Sequence, residues 1–515
     1  MKNIYLLSIL LFQIGFAQSP AIEWQKSFGG SDGDIAYDIK QTNDGGYIFV
    51  SYTMSTDGDV TNLHGSSDIW VVKTSATGEI EWQKTLGGSL SESAVSLQLT
   101  ADGGYILAGN TTSIDGDITE FHDNGCVWVV KLSGTGAIEW QKIYPLPDGG
   151  NAFTIRQTAD GGYIFVGSAF VPHINPNNGE SQGGTDVRIV KLSALGVLEW
   201  QKILGGLLYE SGINILQTND NGYILLGNSN SSDGDLTTNH GDDDLWIVKL
   251  SNTSEIEWQK SIGGSSSESA VGLCLTTDGG YVIAGRTQSS DGDITGFHGG
   301  GVDAWVVKLN AQGTIEWQRA LGGSNTDVLF DIKQTDDGGY IAVGDTVSND
   351  GDVSGYHPST ISSGDCWVVR LSGTGNLMWQ KCLGGSESDG GNRVVIASDG
   401  GYIISGLSLS NDGDVLGHHN NYDCWIVKLA PDNLGIANPS NQDLRLYPNP
   451  TDSLLTINNT DNLLFDKILI TDLTGKKVIE QQGSNQMNVE KLADGVYLLN
   501  AFSGNQTFVR KFIKQ

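Results

Sequence analysis

The chain has 515 residues, enough for two to four domains, with 29 Lys and Arg against 60 Asp and Glu and a net charge of −31. Bulk charge of that sign repels phosphate, which excludes nucleic acid and anionic membrane surfaces as partners and favours cations or basic surfaces. Gly accounts for 70 residues and Pro for only 10, with charged residues at 17%, a composition of many tight turns rather than of a disordered acidic tail.

Met1-Lys2-Asn3 carries a positive charge, Ile4 to Phe16 is mostly apolar, and Gly15-Phe16-Ala17 has the small-x-small form of a cleavage site. Residues 1–17 therefore read as a secretory signal peptide, with a mature chain starting near Gln18. The apolar run is short for a bilayer span, and no later segment is long and apolar enough, so no transmembrane helix is expected in the mature chain.

Residues 18–429 are repetitive. The Trp of Ile22-Glu23-Trp24-Gln25-Lys26 recurs at Trp82, Trp140, Trp200, Trp258, Trp317 and Trp379. A Gly-Tyr segment recurs with Tyr47, Tyr105, Tyr163, Tyr223, Tyr281, Tyr340 and Tyr402. A third column holds Trp70, Trp128, Trp246, Trp305, Trp367 and Trp425. These columns use all 13 Trp, which makes Trp a packing residue here. Each repeat shows four strand signals and no helical period, in the first repeat Ala36–Thr42, Gly46–Thr53, Ile69–Thr74 and Glu79–Leu86, here strands A to D. Asn43-Asp44-Gly45-Gly46 predicts the A–B hairpin and Ala76-Thr77-Gly78 the C–D turn. The first element is a lone D strand and the last repeat lacks one, so the N-terminal strand is expected to complete the last of seven blades. An open solenoid is the alternative, but no capping repeat is visible. Once per blade, the strand-D indole can fill the wedge between neighbours.

The segments Thr77-Gly78-Glu79-Ile80-Glu81-Trp82, Thr135-Gly136-Ala137-Ile138-Glu139-Trp140 and Thr374-Gly375-Asn376-Leu377-Met378-Trp379 resemble the docking motif of quinoprotein propellers over Thr-Gly-x-x-x-Trp. Those proteins have eight blades and a unique catalytic site, so the resemblance implies packing and no cofactor. The repeat as a whole is similar to the generic bacterial β-propeller repeat families, which are defined by fold rather than activity.

The B–C connection reads Ser-x-Asp-Gly-Asp in six repeats, with Asp57 and Asp59, Asp115 and Asp117, Asp233 and Asp235, Asp291 and Asp293, Asp350 and Asp352, and Asp412 and Asp414. A His follows five residues after each second Asp, and an Asp precedes the strand-C Trp by two residues in five of these repeats, with Cys126 in the sixth. Alternate carboxylates around Gly suit Ca²⁺, the metal expectation for these twelve residues. Neutral His with carboxylates suits a transition metal. Asx-turns and a His–Asp bond that staples the loop are the structural reading of the same residues.

The third repeat breaks the pattern, with Tyr144-Pro145-Leu146-Pro147-Asp148 before strand A, Val171-Pro172-His173-Ile174-Asn175 in place of Asp-Gly-Asp, and Arg188 for the strand-C Trp. D–A and B–C loops share one end of a blade, so Tyr144, Asp148, His173, Asn175 and Arg188 form the candidate ligand-binding patch. A second variable column lies nine residues before each Tyr, at Asp38, Ser96, Thr154, Asn214, Gly272, Asp331 and Arg393, and can line or solvate a central channel. Gly-x-Ser-x-Gly, His-Glu-x-x-His and P-loop signatures are missing from the sequence.

After a polar linker over 430–443, residues 444–515 alternate as short strands, Leu454–Ile457, Lys467–Asp472, Lys477–Glu480, Gln486–Val489, Gly495–Ala501 and Thr507–Ile513, the pattern of a small Ig-like β-sandwich. Tyr447-Pro448-Asn449-Pro450, the Asp472-Leu473-Thr474-Gly475-Lys476 turn, Asp494-Gly495-Val496-Tyr497 and the basic terminal strand with Lys511 resemble the type A C-terminal sorting domain of the Bacteroidetes type IX secretion system. That resemblance implies Sec export, handling by the type IX machinery, cleavage of the domain, and release or anchoring at the outer surface. The expected whole is an all-β, exported seven-bladed propeller acting as a binding scaffold for an extracellular glycan or protein. The alternative is a hydrolase or lyase acting on polysaccharide from the same face.

Overall fold

The computed structural model describes residues 19–120, 125–145, 151–174, 181–358, 364–432, 445–458, 465–472, 476–483, 485–503 and 506–515; the leader, Asp148 and Asn175 lie outside them. The chain divides into a unit over Ser19–Pro431 and a second that holds Asp432–Gln515.

In the first unit, four strands form an antiparallel sheet in sequence order: A, Asp34–Gln41; B, Tyr47–Thr53; C, Asp68–Thr74; and D, Ile80–Leu86. The A–B hairpin forms because Gly45 takes a φ of 84° and Asp44 Oδ1 accepts the Gly46 N–H at 3.0 Å. Strands B and C are almost wholly buried, because this sheet is covered on both faces by its neighbours. The same four-strand unit occurs seven times.

The seventh sheet draws three strands from the end of the repeat region, Asp389–Ile396, Tyr402–Ser408 and Asp423–Leu429, and its fourth from the N-terminus, Ile22–Phe28. Trp24 lies opposite Lys428 and Phe28 opposite Cys424. The borrowed strand does everything a D strand does elsewhere. Gln25 Oε1 accepts the Trp425 indole N–H at 2.8 Å, as Gln141 accepts that of Trp128. Each A strand packs against the A strand of the next sheet, and the seventh against the first. Across that last seam Asn392 Nδ2 donates to the Ala36 carbonyl at 2.8 Å. Seven sheets thus surround a common axis lined by their A strands, the arrangement of a seven-bladed β-propeller.

A repeated aromatic contact joins the blades. The strand-D indole packs on the strand-B Tyr of the following blade, with Trp82 and Tyr105 ring centroids 6.1 Å apart and Trp24 and Tyr47 5.9 Å apart. The strand-C Trp instead lies inside its cluster, fully buried in the case of Trp70 and Trp128. Within a blade a buried strand-C cation ties the A–B hairpin to strand D: Lys73 Nζ is 2.9 Å from Asp44 and 2.8 Å from Glu81. In the sixth blade Met378 stands where the other blades have Glu, and the cation is Arg370, held by Asp337 through two bonds of 2.7 and 2.8 Å. All five Cys are free thiols, four of them buried.

The second unit packs a three-stranded sheet (Arg445–Tyr447, Leu454–Asn458, Gln486–Asn488) on a four-stranded one (Lys467–Asp472, Lys477–Gln482, Gly495–Ser503, Gln506–Lys514). Leu455, Ile457 and Met487 of the first share a core with Ile468, Leu499 and Phe512 of the second.

Trp82→Ala empties one inter-blade wedge. It is expected to destabilise the propeller by about 3 kcal/mol, the low end for a truncated indole because Trp82 is only part-buried. The shift of the urea midpoint measures this, and an unchanged midpoint would show that the wedge does not need the ring.

Candidate functional site

The Asp-Gly-Asp loops grip the D–A loop that leads into their own blade. Asp57 Oδ1 accepts the Ser31 N–H at 2.7 Å, and Asp115, Asp233, Asp291, Asp350 and Asp412 repeat the bond with residues 89, 207, 265, 324 and 386. The Ser31 N–H holds the exposed Asp57 carboxyl below its ordinary value.

The second Asp of each pair turns back to the first glycine of the D–A loop. Asp59 Oδ2 accepts the Gly29 N–H at 3.3 Å, Asp117 that of Gly87 at 3.2 Å and Asp235 that of Gly205 at 3.0 Å. Asp293 accepts from Gly263 at 3.2 Å, Asp352 from Gly322 at 3.4 Å and Asp414 from Gly384 at 3.5 Å. The backbone N–H of Asp59, Asp235, Asp293 and Asp414 donates in return to the carbonyl of the same glycine at 2.8, 2.9, 3.0 and 2.8 Å. These bonds turn both carboxylates of one loop toward the D–A loop. The pairs Asp57 and Asp59, Asp233 and Asp235, Asp291 and Asp293, and Asp412 and Asp414 each address two different amides of the D–A loop, because the positive φ of the intervening glycine turns the chain between them. Among the described residues no three His, Cys, Asp or Glu side chains are gathered closely enough to enclose a metal.

The His column closes the far side of the loop. His64 N–H donates to Asp68 Oδ2 at 2.9 Å and His64 Nδ1 lies 2.7 Å from the same oxygen, a pairing repeated at His240/Asp244, His298/Asp303, His357/Asp365 and His419/Asp423. These are the staples that Asx-turn chemistry predicts.

Strand A carries a buried acid that the sequence reading missed. Thirteen residues before the strand-B Tyr stand Asp34, Glu92, Glu210, Glu268, Asp327 and Asp389, all buried. Asp34, Glu92, Glu210 and Glu268 each adjoin the strand-C Asp of the preceding blade across the first glycine of the D–A loop. A Cβ on Gly87 would stand 2.5 Å from Asp68 Oδ1 and 2.6 Å from Glu92 Oε2, so only glycine fits there. Burial pushes the carboxyls of Asp34, Asp303, Asp327, Asp389 and Asp423 up, and that of Asp365 up to about 6.

In the third blade the expected B–C loop is largely ladder. Strands Tyr163–Ile174 and Ser181–Leu192 run on as a paired hairpin, with His173 opposite Gln182. Arg188 takes over the role of the missing indole, donating from Nη2 to Gln201 Oε1 at 2.8 Å and from Nη1 to the Pro145 carbonyl at 3.1 Å. The Tyr144 ring packs on Phe165 at 5.5 Å and its hydroxyl donates to the Gly196 carbonyl. Tyr144 and Arg188 thus make packing contacts between the second and third blades.

The central channel is asymmetric. A cavity of about 570 Å³ is lined by the second halves of the A strands, toward the A–B hairpins and so at the end opposite the B–C loops. Asp38, Asn214, Asp331 and Arg393 of the variable column lie along its wall, and the column also links the blades. Asp38 Oδ2 accepts the Leu97 N–H at 2.9 Å, Thr154 Oγ1 donates to the Ile213 carbonyl at 3.0 Å, Asn214 Nδ2 donates to the Val271 carbonyl at 3.3 Å, and Asp331 Oδ2 accepts the Val394 N–H at 3.1 Å. Two residues further on lies a ring the sequence reading also passed over, with Lys40, Gln98, Arg156, Leu216, Cys274, Lys333 and Val395 seven residues before each Tyr. Basic residues at a core position of an acidic chain were the available signal. The lining thus holds Lys40, Arg156, Lys333 and Arg393 against Asp38 and Asp331, a positive well in a chain of net charge −31. Lys40 pairs with Asp38, and Lys333 with Asp331 at 2.5 Å. Burial alone would raise the Asp38 carboxyl, but Lys40, Arg393 and Arg156 outweigh it and hold it below the ordinary value. Burial, with help from the Arg156 charge, brings Lys40 down to about 8 against the pull of Asp38.

In the second unit Tyr447 is 73% exposed, whereas Asn449 is tied to the terminal strand, accepting the Ile513 N–H at 2.9 Å. Gly495 pairs with Lys514, and Lys511 is exposed on that terminal strand. Tyr497 stacks on Phe512 at 5.7 Å and donates its hydroxyl to the Ala493 carbonyl at 2.8 Å. Pro448 and Pro450 follow cis peptide bonds.

Residues 445–515 match the family described as the secretion system C-terminal sorting domain. This segment is a type IX sorting domain, so the chain is cargo of that machinery, exported to the cell surface or the extracellular space. No helix among the described residues is long and apolar enough to cross a membrane. No curated protein sequence matches the chain. Among solved structures it is similar to an N-terminal BBS1 fragment in complex with ARL6, with 9% identity, 81% of this chain and 98% of that one covered, and a TM-score of 0.41. It is similar to a puromycin hydrolase, with 10% identity, coverage of 72% and 50%, and a TM-score of 0.41. A Synechocystis apocarotenoid oxygenase variant shares 12% identity over 72% of this chain and 94% of its own, with a TM-score of 0.36.

Asp38→Asn leaves Lys40 and Arg156 without their counter-charge at the channel wall and is expected to cost about 3 kcal/mol, the scale for breaking a buried ion pair from one side. Chemical denaturation checks this, and a midpoint within error of the parent would make Asp38 a solvated wall residue.

Proposed function

We propose that the propeller is a secreted or surface binding scaffold that takes the carboxylate-bearing end of an acidic glycan into its central channel. The positive well carries this reading. Lys40, Arg156, Lys333 and Arg393 outnumber the acids of the lining, and the cavity of about 570 Å³ falls in the size range of small-ligand sites. Arg guanidinium matches a carboxylate geometrically, while Gln98, Gln334 and Asn214 supply neutral hydrogen-bonding groups for hydroxyls. The acidic exterior does not forbid an anion inside, because charges more than about 8–10 Å away are largely screened at physiological salt. The channel accommodates a chain end rather than a protein surface, which favours a glycan. In this reading residues 1–17 direct Sec export, the sorting domain is removed, and the propeller is displayed or released as in Bacteroidetes cargo.

A polysaccharide hydrolase or lyase is the second reading, favoured by Asp345, whose carboxyl burial pushes up to about 7, near the working range of a general acid. Asp345 lies on strand B of the sixth sheet and accepts the Gly391 N–H at 3.0 Å, away from the channel lining. Acid and binding groups are therefore apart, and binding is the better-supported function.

Titration calorimetry with uronic-acid oligosaccharides and their neutral counterparts tests the reading. Arg156→Ala and Arg393→Ala are each expected to weaken acidic-ligand binding about tenfold or more, on the scale of charge-assisted bonds. Equal affinity for neutral and acidic oligosaccharides would refute it, and release of new reducing ends by the parent protein would establish the hydrolase instead.

Affinity should also fall between pH 7 and 9. Lys40 is charged below about 8 and neutral above it, so the well loses the Lys40 charge across that window. A flat profile would show that Lys40 does not face the ligand.

A further inference from the structure

Between the first and second blades three carboxylates from three elements surround one glycine. Asp68 of strand C and Glu92 of strand A face the Cα of Gly87, and Asp117 of the Asp-Gly-Asp loop accepts its N–H. Glu92 is satisfied, Oε1 by the Thr111 hydroxyl at 2.7 Å and Oε2 by the Gly88 N–H at 2.8 Å. Asp68 is not. Its side chain is wholly buried and Oδ2 receives both His64 groups, but Oδ1, the oxygen turned toward Glu92, has no hydrogen-bond partner. The same oxygen is unpartnered in Asp244, Asp303, Asp365 and Asp423. An acceptor withdrawn from water without a donor is costly, and a second carboxylate beside it raises the cost. Recurrence at five blade interfaces indicates one missing positive partner rather than five accidents.

The acids also come and go together. Six interfaces carry the glycine and all three acids. At the interface of the second and third blades the strand-C position is Cys126, the strand-A position Gly150, the loop position Asn175 and the glycine position Pro145. Joint loss is what a shared cation requires, because any single acid left behind would be a buried charge without compensation.

We propose that each of the six acidic blade interfaces binds one Ca²⁺ between the strand-C Asp and the strand-A Asp or Glu, with the second Asp of the Asp-Gly-Asp loop adding charge. The donor set is all oxygen, which suits a hard cation tolerant of irregular coordination better than Mg²⁺. His64 stands behind Asp68 and orients it, as a residue bonded to the free oxygen of a ligand does. The first Asp of each loop plays no part, since its oxygen is turned to the D–A loop.

The test uses the full chain, stripped with EGTA and dialysed against about 1 mM CaCl₂ or MgCl₂ at neutral pH, a Ca²⁺ level suited to extracellular modules. Elemental analysis is expected to find close to six Ca²⁺ per chain, and the melting temperature to rise by about 10 °C over the EGTA-treated protein. Asp303→Asn is expected to remove one Ca²⁺ and leave the rest, and Asp57→Asn to remove none. Fewer than one Ca²⁺ per chain with identical melting in CaCl₂ and EGTA overturns the proposal, as does an equal response to MgCl₂. Stabilisation on acidification to about pH 5, with Ca²⁺ without effect, would also overturn it and assign the missing partner to a shared proton. The parent measurement stands even if Asp303→Asn fails to fold.

Discussion

Every feature of the propeller depends on the pairing of Ile22–Phe28 with Asp423–Leu429. A stack of four-stranded sheets has two open ends, and each exposes unpaired N–H and C=O groups. Placing the first strand on the last sheet removes both ends at once. It also sets the ring size, because Gln25 and Glu23 must meet Trp425 and Lys428 as other D strands meet their own blades. Only in a closed ring do seven A strands face one axis, and only then does the channel exist.

The distribution of charge follows from that closure. Cations are drawn inward. Strand-C Lys residues are buried between hairpin and strand-D carboxylates, and Lys40, Arg156, Lys333 and Arg393 line the channel. Acids occupy the loops and the blade interfaces. An acidic protein thus presents a basic interior surface to any ligand that enters along the axis, while its buried acids are gathered where the blades meet. The same residue types serve opposite purposes because the ring separates an inside from an outside.

The third blade shows how a repeat tolerates variation. Replacing Trp by Arg188 keeps the one bond the fold needs, to Gln201. Replacing Asp-Gly-Asp by an extended hairpin goes with loss of the D–A glycine and both interface acids, so the exchange is concerted. The five residues singled out in the sequence as a ligand patch were identified by their departure from the repeat. Departure marks a different packing solution as readily as a site, and Tyr144 is the case in point, since its hydroxyl is spent on the Gly196 carbonyl.

Strand positions, hairpin turns, the strand-D indole in the wedge, the His–Asp staples and the sorting domain were legible in the sequence, because each rests on local chemistry or on a period of about sixty residues. The pairing of Asp57 with Asp59 in one short motif suggested a shared ion, yet their separate amide partners, Ser31 and Gly29, lie in another loop and could not be read from the motif. The residues Lys40, Arg156 and Lys333 belong to different repeats and look like ordinary strand positions in each, so their convergence was invisible until the ring brought them within one cavity. The interface acids were hidden for the same reason, since Asp68 and Glu92 belong to consecutive blades and meet only across Gly87. Sequence by itself determined what each blade is, because a blade is built from neighbours along the chain. What the blades do to one another, and where they could bind anything, was decided by tertiary structure, because those contacts join residues whose proximity comes only from closure.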